Sequence, residues 1–206
     1  LKGLLIVDMQ NDFCAGGALE VKESEHVIEP INKLIEKFNK NGDFIIGTLD
    51  WHPKEHKSFG ENSNGEIGKI GELNGIPQIW WPVHCVENTF GAQIHKEILF
   101  FENKIYKGTS IEIDSYSGFF DNGRLKSTNL HKILCENNVD TLYVVGLATD
   151  YCVKFTVLDA IDLGYKVYVV KEGCRGVNIN ENDSILALEN MEKMGAHVIS
   201  IKDIKF

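Results

Sequence analysis

Arginine is nearly missing from this chain, with only Arg124 and Arg175 among 206 residues. Acidic side chains number 30 against 21 basic ones, a formal net charge of −9 at neutral pH. A surface of that sign repels phosphate backbones and no basic stripe offsets it, so no nucleic-acid partner is expected. Long apolar runs are missing too. None approaches the roughly 20 residues that cross a bilayer, so no membrane partner is expected. The opening Leu1–Val7 is short, carries Lys2 and runs into Asp8, which reads as a buried strand rather than a signal peptide. The five cysteines (Cys14, Cys85, Cys135, Cys152 and Cys174) are odd in number and include no CxxC pair. Reduced thiols in a cytoplasmic protein are therefore expected in place of a disulfide framework. There is no repeat, no low-complexity tract and no interdomain linker, and the length suits one domain over residues 1–206.

What the chain does have is alternation of strand and helix patterns. Lys2–Val7 is a continuous apolar run of the kind covered on both faces. Ser24 is a candidate cap for a helix from Glu25, in which Val27, Ile28, Ile31, Leu34, Ile35 and Phe38 recur at helical spacing up to Asn41–Gly42. Strands follow at Asp43–Leu49 and Asn103–Tyr106, then a helix capped by Ser127 and carrying Leu130, Ile133 and Leu134. A strand at Thr141–Gly146, a helix over Asp150–Leu163 and a strand at Lys166–Val170 come next. A last helix holds Ala187, Leu188, Met191 and Met194, before a strand at His197–Ile201. This order predicts an α/β fold: a single-domain, doubly wound, mostly parallel sheet of about six strands with helices on both faces. From Trp51 to about residue 80, glycine and asparagine replace periodicity, so that interval is expected to be an irregular loop, with 57–79 a candidate lid.

In such sheets ligands bind beyond the carboxyl ends of the strands, which makes the residues after each strand informative. Asp8 follows the first strand, Asp50 and His52 the second, Lys107 the third and Leu147–Cys152 the fourth, so all should converge on one edge. Cys152 falls in the first turn of a helix, where free N–H groups and the helix dipole favour a thiolate and could hold an oxyanion. Lys107 would favour the thiolate further, although a small buried thiol is the plainer reading of Cys152. Asp50 and His52 form a D-x-H pair able to point to one side of an extended segment, with His56 four residues on and His84 beyond the irregular stretch. One carboxylate with two or three imidazoles suits Zn2+, and Fe2+ or Mn2+ by the same donors; polar loop residues bonded to backbone would be the alternative. Phe13, Trp51, Trp80, Trp81, Tyr116, Phe119 and Phe120 surround this region, either as core or as the walls of a pocket for a flat ring. His26, His95, His131 and His197 read as structural or solvated.

Six segments carry a family resemblance: LLIVDMQNDFCAGGAL at 4–19, TLDWHPKEHKSF at 48–59, WPVHCVENTFGA at 81–92, YKGT at 106–109, DSYSGFFDN at 114–122 and VVGLATDYCV at 144–153. Together, and in this order, the chain resembles the nicotinamidase/pyrazinamidase group of the isochorismatase-like cysteine hydrolase superfamily. The resemblance implies an Asp–Lys–Cys catalytic set, matching Asp8, Lys107 and Cys152, and one divalent metal held by Asp50, His52 and His84. His56 matches a histidine that is an additional ligand in some relatives only. It further implies a cis peptide before Ala148, an oxyanion hole from the N–H groups of Ala148 and Cys152, pocket aromatics at Phe13, Trp81 and Tyr116, and Gln10 close to the metal. Tyr151 falls where the family varies and receives no role. The implied activity is hydrolysis of nicotinamide to nicotinate and ammonia through a cysteine thioester, a step of NAD salvage and pyridine nucleotide biosynthesis. The metal would anchor the pyridine nitrogen. Small α/β enzymes often pair, which leaves room for a homo-oligomer. The rival readings are an amidase of the same superfamily acting on a ureido or carbamoyl substrate, a true isochorismatase, a non-catalytic ligand-binding protein on this fold, and a generic zinc hydrolase. Relatives of the first kind generally lack the D-x-H and distant His set that Asp50, His52 and His84 supply.

Overall fold

The structure, a computed structural model, describes residues 1–205. Six strands form one parallel sheet: β1 (Lys2–Val7), β2 (Phe44–Asp50), β5 (Asn103–Lys107), β6 (Thr141–Leu147), β7 (Lys166–Arg175) and β8 (His197–Ile199). Their spatial order is β5-β2-β1-β6-β7-β8, and every neighbouring pair is parallel. The order reverses at β1, so the crevice between the carboxyl ends of β1 and β6 is the switch point at which such sheets take up ligands.

The apolar strands form because both of their faces are covered. Along β1, Leu4 and Ile6 pack with Ile31, Leu34, Ile35 and Phe38 of α1 (Ile28–Asn41). Leu5 and Val7 point the other way, into a layer with α3 (Leu130–Glu136), α4 (Lys154–Asp162) and α5 (Asp183–Met194). Each such side chain, taken fully from water, contributes about 1.5–3 kcal/mol. One helix therefore covers one face and three cover the other. Among the described residues, no helix is long and apolar enough to cross a membrane.

Several boundaries differ from the sequence expectations. Ser24 is no cap. It lies within a 3-10 turn, Ser24–Val27, whose preceding position is Glu23, and its buried Oγ has no hydrogen-bond partner; α1 proper begins at Ile28. Before α3 the capping position is Asn129, while Thr128 Oγ1 accepts the Leu130 N–H. The element after β6 opens with a π turn, Thr149–Val153, before α4 becomes regular. β7 runs five residues past Val170, because a bulge between Val144 and Gly146 of β6 lets Gly146 and Leu147 pair with Cys174 and Arg175. The glycine is required there: Gly146 has φ 117, and a Cβ on it would strike the backbone of Val7.

The interval between residues 51 and 80 is not structureless. It holds a short helix, α2 (Gly60–Ser63), and an antiparallel hairpin of β3 (Ile70–Leu73) and β4 (Ile76–Ile79). With four residues per strand, and Gly71, Gly75 and Pro77 inside, the hairpin has no apolar alternation to announce it. Trp80 covers it, its indole lying where Cβ atoms on Gly65 and Gly71 would otherwise stand.

Candidate active site

The floor of the site is built by strand ends. Asp8 directly follows β1 and turns the chain at φ 49; Asp50 is the last residue of β2 and pairs in register with Lys107, the last residue of β5. Cys152 lies in the π turn beyond β6. Lys107 sits at the centre. Its Nζ is 2.9 Å from Asp8 Oδ2, pairs with Asp50 Oδ1, donates to the Ser115 carbonyl at 2.9 Å and lies 3.3 Å from Cys152 Sγ. Lys107 is 1% exposed, Asp8 0%, Asp50 4% and Cys152 7%. Buried charge of this kind persists only when paired and hydrogen-bonded.

The electrostatics follow from burial and from who faces whom. Burial works against the Lys107 ammonium, but Asp50, Asp8 and Cys152 outweigh it and raise its pKa well above the usual lysine range. Burial raises the Asp8 carboxyl more than Lys107 lowers it. Burial also lifts the Cys152 thiol well above its ordinary value, and Asp8 and Asp50 add to the effect against Lys107. Of the two readings of Cys152, these surroundings favour the neutral thiol: burial and two carboxylates raise it against one ammonium.

Beside the floor lies a second group. Asp50 Oδ2 is 3.5 Å from His52 Nε2 and 3.7 Å from His84 Nε2. His52 Nδ1 is 2.8 Å from the Gly108 carbonyl and His84 Nδ1 is 2.7 Å from that of Pro82. A carbonyl only accepts, so both rings hold a proton on Nδ1 and turn Nε2 towards Asp50. Gly108 admits the His52 ring, which a Cβ there would strike. His52 Nε2 is buried without a hydrogen-bond partner, and one donor atom from each of Asp50, His52 and His84 lies within 4.8 Å of the others. An orphaned imidazole nitrogen in such a set fits a divalent cation. Gln10 braces it: its side chain accepts from Asp50 N–H at 2.9 Å and donates to the carbonyls of Asp50 and Ala92. His56 stands apart from this trio. The Ser58 N–H donates to its Nδ1 and its Nε2 faces the Ile113 carbonyl, while burial and then His52 push its pKa down to about 4. It does approach His52 and Asp114 closely enough to form a second candidate cluster.

Above the floor a cleft is lined by Phe13, Leu19, Asp50, Trp81, His84, Asp114, Tyr116, Ala148, Tyr151, Cys152 and Val177. All three expected aromatics are present, and Ala148 follows a cis peptide bond. Trp81 Nε1 donates to Tyr116 Oη at 3.1 Å, and Gln78 on β4 donates to both Asp114 Oδ2 and Tyr116 Oη. Four participants escaped the sequence reading. Tyr151 packs edge-on to Trp81 and Tyr116, and its signal was adjacency to Cys152. Asp114 and Gln78 depend on the hairpin. Thr48 donates to Asp8 Oδ1 at 2.6 Å, and its signal was a polar residue two positions before Asp50, on the same strand face. Asp150 turns away, accepting the Val177 and Asn178 N–H groups. An apolar-walled slot above a thiol, a carboxylate and an ammonium is equipped to attack an acyl carbon and to move a proton.

Comparison with known proteins points the same way. The family model described as "Isochorismatase domain" matches residues 2–203. A nicotinamidase of Escherichia coli (strain K12) is 48% identical over 206 residues, covering 98% of this chain and 96% of that protein. A solved Acinetobacter nicotinamidase/pyrazinamidase superposes with TM-score 0.92 at 36% identity, covering 98% and 97% of the two chains. A Pyrococcus horikoshii pyrazinamidase, solved in complex with zinc, superposes with TM-score 0.80 at 37% identity, covering 97% and 98%.

Proposed function

This chain belongs to the isochorismatase family and is an amidohydrolase within it, and from that premise we propose that it hydrolyses nicotinamide to nicotinate and ammonia. The observation that carries the reading is the convergence of Asp8, Asp50 and Cys152 on one lysine ammonium beneath an aromatic slot.

The pyridine ring lies among Phe13, Trp81 and Tyr116, with its carboxamide over Cys152. Asp8 takes the thiol proton as Cys152 Sγ bonds to the carboxamide carbon. The carbonyl oxygen becomes an oxyanion facing the N–H groups of Ala148 and Cys152, where one donor is worth about 3–4 kcal/mol. Asp8 returns the proton to nitrogen as the C–N bond breaks, and ammonia leaves a thioester. Water then attacks the acyl carbon, giving its proton to Asp8, and nicotinate departs as the thiol re-forms. Lys107 pulls Asp8 towards its ionised form against the burial that opposes it. Asp50, His52 and His84 would hold a divalent ion, of which Zn2+ suits the donors best, with Fe2+ and Mn2+ also compatible. When bound, such an ion supplies a Lewis-acid contact for the pyridine nitrogen, orienting the ring. The product places the chain in NAD salvage. The test is ammonia release from nicotinamide with metal content determined on the same sample. Tight nicotinamide binding without ammonia would make the chain a binding protein, and turnover of a ureido substrate in preference would make it a different amidase.

A further inference from the structure

We propose that Thr48 is a positioning residue that selects which oxygen of Asp8 handles the proton of Cys152. The inference rests on the catalytic reading above and extends it to a side chain that touches neither substrate nor sulfur.

The two oxygens of Asp8 have different surroundings. Oδ1 accepts the Thr48 hydroxyl at 2.6 Å, in a contact where both residues are buried. Oδ2 instead faces the Lys107 ammonium, 2.9 Å from Nζ, and Lys107 in turn lies 3.3 Å from Cys152 Sγ. An oxygen of Asp8 lies within 4.8 Å of that sulfur. A free carboxylate rotates about its Cα–Cβ and Cβ–Cγ bonds, and two equivalent oxygens would share the proton between a productive and an unproductive site. Thr48 breaks the equivalence. Its O–H stabilises negative charge on Oδ1 and holds the carboxylate plane, so that Oδ2 carries the lone pair on the side of the ammonium and the thiol.

The backbone explains why Thr48 can do this. It pairs with Val7 in the parallel register of β1 and β2, and its carbonyl accepts the Asp8 N–H at 3.1 Å. Main chain and side chain of one residue therefore clamp Asp8 at both ends. Strand period puts Thr48 and Asp50 on the same face of β2. Two alternate side chains of one strand thus hold the two carboxylates of Lys107 in different ways: Asp50 is itself one of them, and Thr48 fixes the other. The Thr48 methyl is also enclosed, since a Cβ on Gly118 would come 2.9 Å from it, so the hydroxyl has little rotational choice.

Thr48→Val keeps the shape and removes only the hydroxyl, and Thr48→Ser keeps the hydroxyl and removes only the methyl. With nicotinamide as substrate, kcat of Thr48→Val is expected to fall by about 10- to 100-fold, as for loss of one hydrogen bond to a charged group. KM and bound metal should stay within about twofold of the parent, because Thr48 does not line the cleft. Thr48→Ser should recover most of kcat. Parent-like kcat in Thr48→Val, a change confined to KM, or equal loss in both variants would overturn the proposal, the last by assigning the effect to methyl packing. If Thr48→Val does not fold, Thr48→Ser is compared with Thr48→Ala: serine well above alanine supports the proposal and equality overturns it. A parent enzyme that releases no ammonia would instead refute the catalytic reading, so the two failures are distinguishable.

Discussion

The floor and the wall of the cleft are made in different ways. The floor hangs from the carboxyl ends of β1, β2, β5 and β6, where parallel register sets each side chain against its neighbour and Lys107 ties them into one charged knot. The wall comes from turns and the β3–β4 hairpin, held by single side-chain bonds such as Gln78 to Asp114 and Trp81 to Tyr116, and the π turn gives one residue to each, Cys152 to the floor and Tyr151 to the wall. The difference teaches where each kind of precision is needed. Bond-making over distances of about 3 Å requires groups fixed on rigid elements, whereas recognition of a flat ring tolerates a surface assembled from loops. Floor substitutions should then strike turnover and stability, and wall substitutions should strike substrate affinity.

Cys152→Ala tests this most severely. Turnover should fall by at least about a thousandfold, with metal still bound by Asp50, His52 and His84; ammonia release close to the parent rate would remove the thioester altogether. Next comes Lys107→Met, which leaves the Asp8 and Asp50 carboxylates facing each other without their cation. Breaking one partner out of a buried ion pair costs about 3–5 kcal/mol, to be read from urea unfolding, and an unchanged midpoint would show that the knot is no part of the stability. His56, which lines neither floor nor wall, is tested by pH through stability alone. Its imidazole has a folded-state pKa of about 4 against an ordinary 6.5, so the unfolded chain binds the extra proton between those values. The neutral ring's contribution is complete above pH 6.5 and is lost as pH falls towards 4. It amounts to up to about 3 kcal/mol, and His56→Gln should flatten the slope of unfolding free energy across that window. The smallest effect belongs to Tyr116→Phe, which strands the indole N–H of Trp81. A loss of about 1 kcal/mol should appear as a few-fold rise in KM for nicotinamide at nearly constant kcat; a fall in kcat alone would erase the division between floor and wall.

The same division governs what could be read before any coordinates. All six strands of the sheet and the acidic, basic and thiol groups at their ends were legible: the apolar runs of β1 and β2 end abruptly in Asp8 and Asp50, and Lys107 closes the short pattern Asn103–Tyr106 that the alternation of elements calls for. The helices on both faces followed from alternation. Illegible were the hairpin, whose strands are too short to show a period, and with it Gln78 and the surroundings of Asp114. Thr48 hid inside a strand as an ordinary β-branched residue. Ser24 shows the opposite error, a good capping residue type whose hydroxyl the fold leaves unused. Cys152 is a different case: position in a helix favours an acidic thiol and left two readings open, because the balance of buried charge is a property of the assembled site.

Strand order has one more consequence, for synthesis on the ribosome. Residues 8, 50, 107 and 152 are neighbours only once β6 has slotted in beside β1, so a nascent chain that has not yet reached Cys152 holds no attacking sulfur at all. The reactive centre therefore comes into being late, and no product of translation that stops short of Cys152 can carry it.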